Sequence, residues 1–176
     1  MSMIDKTIDF VSINIGLITI SDSRKEYDDK SGNILKERIT NFGHLVFKKI
    51  IIPDDVDTIK NTISIFAKNP SIDAIITTGG TGLTGRDSTP EAVSELSDKI
   101  IDGFGELFRQ LSYKKIGTST IQSRAIAAVI NHTYLFSLPG SPNACKDGWD
   151  DILKFQLDIR HKPCNCIEIM PRLKEK

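Results

Sequence analysis

Ala74-Ile75-Ile76-Thr77-Thr78-Gly79-Gly80-Thr81-Gly82-Leu83-Thr84-Gly85-Arg86-Asp87-Ser88-Thr89-Pro90-Glu91 leads from a short apolar strand, through a loop with four glycines, into the first turn of a helix. A short apolar run without alternation is the pattern of a strand buried on both faces, as in a parallel sheet. Pro90 and Glu91 suit a first helical turn, with Ser88 or Thr89 as the capping oxygen. Glycine brings backbone close to a ligand, and the run Gly79, Gly80, Thr81, Gly82 can turn several N–H groups towards one anion. Arg86 then adds a fixed cation and Asp87 a carboxylate suited to a metal ion. Phosphate donors and a metal ligand within one loop point to nucleotide chemistry.

Upstream of this loop the chain alternates strands and helices. Ile13 to Ile20 is an apolar strand, followed by the polar loop Ser21-Asp22-Ser23-Arg24. Leu35, Ile39 and Phe42 recur at helical spacing and stop at Gly43; Leu45 to Ile52 is a second strand, ended by Pro53-Asp54-Asp55. Ile59, Ile63, Phe66 and Ala67 mark the buried stripe of the next helix. Strand, helix, strand, helix, strand predicts a mostly parallel sheet with helices on both faces, a three-layer α/β/α sandwich. Ligands of such sheets gather beyond the carboxyl ends of the strands, where the loops at 21–24, 53–55 and 79–87 emerge together. Downstream, Phe104, Leu107, Phe108 and Leu111 predict a helix, and Ile121, Ala125 and Ala128 another that would carry Ser123 and Arg124. Tyr134 to Leu138 predicts a strand whose direction the pattern leaves open. The turn Pro139-Gly140-Ser141-Pro142-Asn143 follows, then a last helix with Cys145, Trp149, Ile152 and Leu153 on its buried face.

The 176 residues suit one domain spanning 1–176, its charged tail from His161 wrapping the surface or packing on a neighbouring subunit. Lys plus Arg and Asp plus Glu both number 23, so there is no electrostatic footprint for nucleic acid or an acidic membrane. No apolar run has the length of a membrane span, and the expected location is cytoplasmic. Three cysteines form no disulfide framework, and Cys164-Asn165-Cys166 with His161 lacks the second ligand pair of a zinc site. Gly80, Gly82 and Gly85 satisfy the dinucleotide fingerprint, but Arg86 to Pro90 intervene before the helix and the motif follows the third strand. A Walker lysine is missing as well.

Gly79-Gly80-Thr81-Gly82 with Arg86-Asp87-Ser88-Thr89-Pro90-Glu91-Ala92, together with Ser137-Leu138-Pro139-Gly140-Ser141-Pro142, resembles the molybdenum cofactor biosynthesis family of MoaB and Mog proteins. The resemblance extends to Ile18–Arg24, Pro53-Asp54-Asp55, Gly103-Phe104-Gly105-Glu106-Leu107-Phe108-Arg109, Ile116–Ala125 and His161-Lys162-Pro163-Cys164-Asn165, nearly the whole chain. It implies an adenylyltransferase: the terminal phosphate of molybdopterin attacks the α-phosphorus of ATP in the presence of Mg²⁺, giving adenylylated molybdopterin and pyrophosphate. Asp54 and Asp87 match the catalytic, Mg²⁺-binding aspartates. Gly79 to Gly82, Arg86 and the turn Pro139, Gly140, Ser141 would border the nucleotide, and Ser21, Ser123 and Arg124 would lie towards the pterin phosphate. The family also implies a homotrimer or homohexamer and contacts with other enzymes of the pathway. Some B-type members lose the Arg-Asp pair; its retention here favours catalysis over a noncatalytic molybdopterin-binding or scaffolding oligomer. Ser141 and Pro142 stand in a turn where relatives often carry Asn.

Overall fold

The computed structural model describes residues 3–175. In chain order the elements are β1 (Met3–Ile4), β2 (Asn14–Ile20), α1 (Lys30–Phe42), β3 (Leu45–Ile52), α2 (Val56–Ala67), β4 (Ala74–Thr78), α3 (Thr89–Leu96), β5 (Lys99–Ile100) and α4 (Asp102–Ile116), then β6 (Ile126–Ile130), β7 (Thr133–Leu138), α5 (Pro142–Gly148), α6 (Lys154–Gln156), β8 (His161–Lys162) and α7 (Cys166–Ile169). A single π turn, Trp149–Leu153, joins α5 to α6. The main sheet has six strands in the order β3-β2-β4-β7-β6-β5. Its first four run parallel; β6 is antiparallel to β7, and β5 to β6. The expected three-layer sandwich is therefore present, with a mixed sheet at its centre.

Each face of the sheet buries its own cluster. Ile15, Leu17, Ile76 and Phe136 meet Leu35 and Ile39 of α1, Phe104 and Phe108 of α4, and Trp149 on one side. Ile18, Ile20, Ile75 and Leu135 meet Ile59, Ile63 and Phe66 of α2 and Ala92 and Val93 of α3 on the other. Burying an Ile, Leu or Phe contributes roughly 1.5–3 kcal/mol, so central strands with apolar residues on both faces are the expected product of two helical layers; of their polar members, Thr77 and Ser137 satisfy each other with a 2.8 Å hydrogen bond. On α1, Asp29 caps the N-terminus by accepting from Gly32 N, and Gly43 closes the other end at φ 110°.

The helix expected through Ile121 and Ala128 does not form. Residues 117–122 make a 3₁₀ turn and residues 126–130 are β6, so Ser123 and Arg124 lie on the connection between them. The cause is the pair Asn131-His132, at φ 47° and 64°, a two-residue reversal with left-handed backbone that folds β6 onto β7 as a hairpin. Ala127 and Ala128 look helical by propensity, but they fill positions on opposite faces of the sheet. The segment from His161 packs on the chain's own core: β8 pairs with β1, and Ile167 of α7 is buried against the first cluster. All three cysteines are free thiols, and among the described residues no helix is long and apolar enough to cross a membrane.

The edge strand β3 is fastened by a buried ion pair. Lys49 Nζ lies 2.8 Å from Asp29 Oδ2 and 2.9 Å from Glu26. Asp29, 0% exposed, also accepts from Thr19 Oγ1 at 2.8 Å and Gly32 N at 2.9 Å. Burial pushes the Asp29 carboxyl up, but Lys49, Gly32 and Thr19 together hold it below 3.8. Burial likewise lowers Lys49, and its two carboxylate partners raise it beyond 10.5. The pair therefore adds stability between these limits and loses it as pH falls through the depressed Asp29 value or rises through the raised Lys49 value. Lys49→Met is expected to destabilise the protein by about 3–5 kcal/mol at neutral pH, because it strands a buried carboxylate. Without Lys49, burial raises the Asp29 carboxyl, so the stranded group takes up its proton at a higher pH than in the wild type, and urea denaturation should show the deficit shrinking as the solution is acidified; a deficit independent of pH would contradict this assignment.

Candidate functional site

Parallel pairing of β2, β3, β4 and β7 brings four loops to one edge of the sheet. The antiparallel β6 starts at that same edge, which adds Ser123 and Arg124. Between the loops lies a cleft of about 640 Å³ lined by Ser21, Asp22, Arg24, Ser31, Asp54, Gly79, Gly80, Thr81, Gly82, Asp87, Ser123, Pro139, Gly140 and Ser141, among others. All the candidate residues from the sequence come to this cleft except Arg86 and Arg124.

Two glycine turns meet on its floor. Gly79, at φ 107°, donates its N–H to the Leu138 carbonyl at 3.0 Å, extending the β4–β7 pairing by one step. A Cβ there would stand 2.1 Å from the Ile20 carbonyl oxygen, so only glycine fits. Gly80, at φ 64°, leaves room for Asp54 and Thr89: a Cβ on it would lie 2.8 Å from one Asp54 carboxylate oxygen. Thr89 Oγ1 donates to the Gly79 carbonyl and Thr89 N to that of Gly80, both at 3.0 Å.

Asp54 is 8% exposed. The helix after Pro53 is capped by Asp55, whose side chain accepts from Thr58 N, so Asp54 is free of that duty. Its Oδ1 accepts instead from Ser88 N at 3.2 Å and Ser88 Oγ at 3.0 Å. The expectation that Ser88 or Thr89 caps α3 through its hydroxyl is thereby corrected. Ser88 holds the N-cap position without a side-chain cap bond: its hydroxyl is turned to donate to the Asp54 carboxylate, and its oxygen accepts from no N–H of the first turn. Burial raises the Asp54 carboxyl above its ordinary value; the Ser88 bonds oppose this, and the Asp87 and Asp22 carboxylates add to it. Asp87 has the contrary balance. Burial pushes it up, but bonds from the Thr84 hydroxyl at 2.6 Å and Thr84 N at 2.8 Å, from the Gly82 N–H, and the charge of Arg124 keep it low.

The cations are deployed differently from the sequence expectation. Arg86 makes a two-point pair with Asp22, Nε and Nη2 each at 3.0 Å, and Asp22 Oδ1 also accepts from Asp54 N at 3.0 Å. Arg124 grips the glycine loop from behind. Its Nε donates to the Gly82 carbonyl at 2.8 Å, its Nη2 to the Asp87 carbonyl at 2.9 Å, and its Nη1 meets Glu91. Asp22, Arg24 and Ser31 are cleft residues that the sequence did not single out. The apolar-strand-then-polar-loop pattern at 18–24 was the available signal for the first two.

Twisted α/β sheets with a polar crevice beyond the carboxyl ends of their strands are a class of ligand-binding protein, and this cleft has that position. A sequence model of the family described as "Probable molybdopterin binding domain" matches residues 16–159, and the chain belongs to that family of molybdenum cofactor biosynthesis. It is 43% identical over 157 residues to "Molybdenum cofactor biosynthesis protein B" of Escherichia coli K12, covering 89% of this chain and 92% of that one. It is 39% identical over 142 residues to the "Probable molybdopterin adenylyltransferase" of Methanocaldococcus jannaschii, covering 77% and 84%. A solved structure described as "Crystal structure of Molybdenum cofactor biosynthesis protein B" superposes with a TM-score of 0.85 at 38% identity, covering 94% and 98%.

Because Arg124 ties two loop carbonyls and Glu91 to the start of β6, Arg124→Gln is expected to release the loop without unfolding the sheet. Hydrogen exchange of amides 80–88 should accelerate by about tenfold or more while β4 and β7 stay protected. Unchanged loop protection would show that the glycine turn holds its shape without the clamp.

Proposed function

We propose that the chain transfers AMP from ATP to the terminal phosphate of molybdopterin, giving adenylylated molybdopterin and pyrophosphate. The observation that carries this reading is the placement of Asp54 and Asp87, from loops 33 residues apart in sequence, on one cleft beside two backbone turns rich in glycine. Family membership and the name of the Methanocaldococcus relative point the same way.

The donor set fits Mg²⁺. Asp54 Oδ1 is used by Ser88, while Oδ2 accepts no hydrogen bond among the described residues. Burial beside like charges makes the Asp54 carboxylate a group that a cation would relieve. Among the described residues no three His, Cys, Asp or Glu side chains form a protein-only cage, which agrees with an ion that takes one or two carboxylates and completes its shell with phosphate oxygens and water. When bound, Mg²⁺ would neutralise phosphate charge and polarise the phosphorus under attack.

The chain's own contribution is placement. A phosphate oxygen of molybdopterin bonds to the α-phosphorus as the bond from that phosphorus to the bridging oxygen breaks, and pyrophosphate leaves with the electron pair. No side chain has to become covalently attached, so orientation and charge compensation account for the rate. Gly79 and Gly82 spend their N–H groups inside the fold, which leaves those of Gly80 and Thr81 for a phosphate. Pro139, Gly140 and Ser141 border the nucleotide; Ser21 and Ser123 lie towards the pterin phosphate. Arg86 and Arg124 act on these groups through the loop they hold. Self-association into a homotrimer or homohexamer is part of the same proposal, and exposed Tyr113, Ile116 and Ile121 supply apolar surface for it.

With authentic molybdopterin, ATP and Mg²⁺, chromatography should detect the adenylylated pterin. Asp87→Asn and Asp54→Asn are each expected to lower turnover about 100-fold or more, with pterin binding retained. Pterin binding without product in the wild type would favour a noncatalytic binding protein instead.

A further inference from the structure

Of the arginines around the cleft, Arg86 is committed to Asp22 and Arg124 to the back of the glycine loop. Arg109 donates to the Ala125 carbonyl and lines a separate hollow. The remaining one, Arg24, is the only Lys or Arg among the described residues that line the cleft itself. Its backbone is fixed, since Ser21 Oγ accepts from Arg24 N at 3.2 Å and from Ser23 N at 3.3 Å. Its guanidinium has one long hydrogen bond, Nη2 to the Gly140 carbonyl at 3.4 Å, and no ion pair among the described residues. That carbonyl already accepts from Ser31 Oγ at 2.7 Å. A guanidinium carries five N–H donors in a planar fork, so nearly all of this one's capacity is unspent.

The position matters as much as the free donors. Asp54 and Asp87 stand on the side of the cleft where α3 begins, whereas Arg24 reaches towards Ser31 at the start of α1 and the Gly140 turn before α5. The cleft thus has a carboxylate wall and, across the glycine turns, a wall of hydroxyls with a single cation. We propose that Arg24 is the phosphate-binding cation of this site, engaging the polyphosphate from the α1 side while the carboxylates hold its metal from the other. The assignment deepens the nucleotide reading of the cleft and rests on it, and it gives the phosphate contact to Arg24 in preference to Arg86.

Isothermal titration of the full chain with MgATP, with adenosine and with magnesium tripolyphosphate tests this. Arg24→Gln is expected to weaken MgATP and tripolyphosphate about tenfold or more and to leave adenosine affinity unchanged. Arg24→Lys, which keeps the charge but loses the fork, should recover part of the loss. Circular dichroism and thermal melting of both variants separate these effects from misfolding. The proposal is overturned if Arg24→Gln binds both phosphate ligands like the wild type, or loses adenosine to the same degree. If the wild type binds tripolyphosphate but not MgATP, the nucleotide reading fails, and the tripolyphosphate comparison alone decides for or against Arg24. A wild type that binds neither overturns both.

Discussion

Like charge gathered at one edge of the sheet is the constraint around which this site is built. Asp22, Asp54 and Asp87 leave three different loops, yet Asp22 and Asp87 both raise the pKa of the buried Asp54. Two unit charges about 4 Å apart repel by about 4 kcal/mol at an effective dielectric of 20. Folding must offset a term of that kind, and each carboxylate is offset separately. Asp22 has the Arg86 fork, Asp87 has Thr84 and Gly82 N–H, and Asp54 has Ser88. Asp54 is the least compensated of them, buried with one oxygen unused. A site that keeps such a group is prepared for an incoming cation at some cost to its own stability.

The same constraint explains why conventional roles are reassigned. Ser88 stands where a hydroxyl would normally cap its own helix, and α3 lacks that bond because the side chain is turned towards Asp54 to donate to it. Arg86, which follows the glycines and looks like a phosphate ligand, joins its loop to the one after β2. Arg124 spends its fork on carbonyls at residues 82 and 87. Those two bonds fix both ends of the segment bearing Thr84 and Asp87. The loop is therefore braced largely through side chains that do not line the cleft, Thr84, Arg86 and Arg124, while Asp54, which does line it, keeps one carboxylate oxygen free among the described residues.

Much of this was legible in the sequence, and the exceptions share a cause. The parallel core could be read because strands buried on both faces carry apolar runs without alternation, such as Ala74 to Ile76, and their helices carry striped faces. Asp54 and Asp87 could be placed on one edge by topology alone. The hairpin at Asn131-His132 escaped notice because its strands carry Ala127 and Ala128, which satisfy a helical pattern as well, and because the reversal uses Asn and His where Asn-Gly is the stronger signal. The division of labour among arginines was illegible for another reason. Which carboxylate or carbonyl a guanidinium reaches is decided by residues distant in sequence: Arg86 by one 64 positions upstream and Arg124 by one 42 upstream.

That hairpin also decides what the glycine loop can become. In a wholly parallel sheet the segment before β6 would enter from the opposite edge, and Ser123 and Arg124 would lie a strand's length from the cleft. Reversing the chain at residues 131 and 132 makes the start of β6 neighbour the ends of β4 and β7. The Arg124 N–H can then bond the Thr81 carbonyl at 3.1 Å while its side chain spans the loop. The floor depends on the same arrangement, because β7 lies beside β4 and the Gly140 turn meets Gly79; a Cβ on Gly140 would stand 3.3 Å from the Gly79 Cα. Backbone from two strands thus approaches without side chains between, the geometry that close contact with a phosphate chain demands. The antiparallel departure from the regular fold supplies the brace, and the parallel pairs supply the surface it braces.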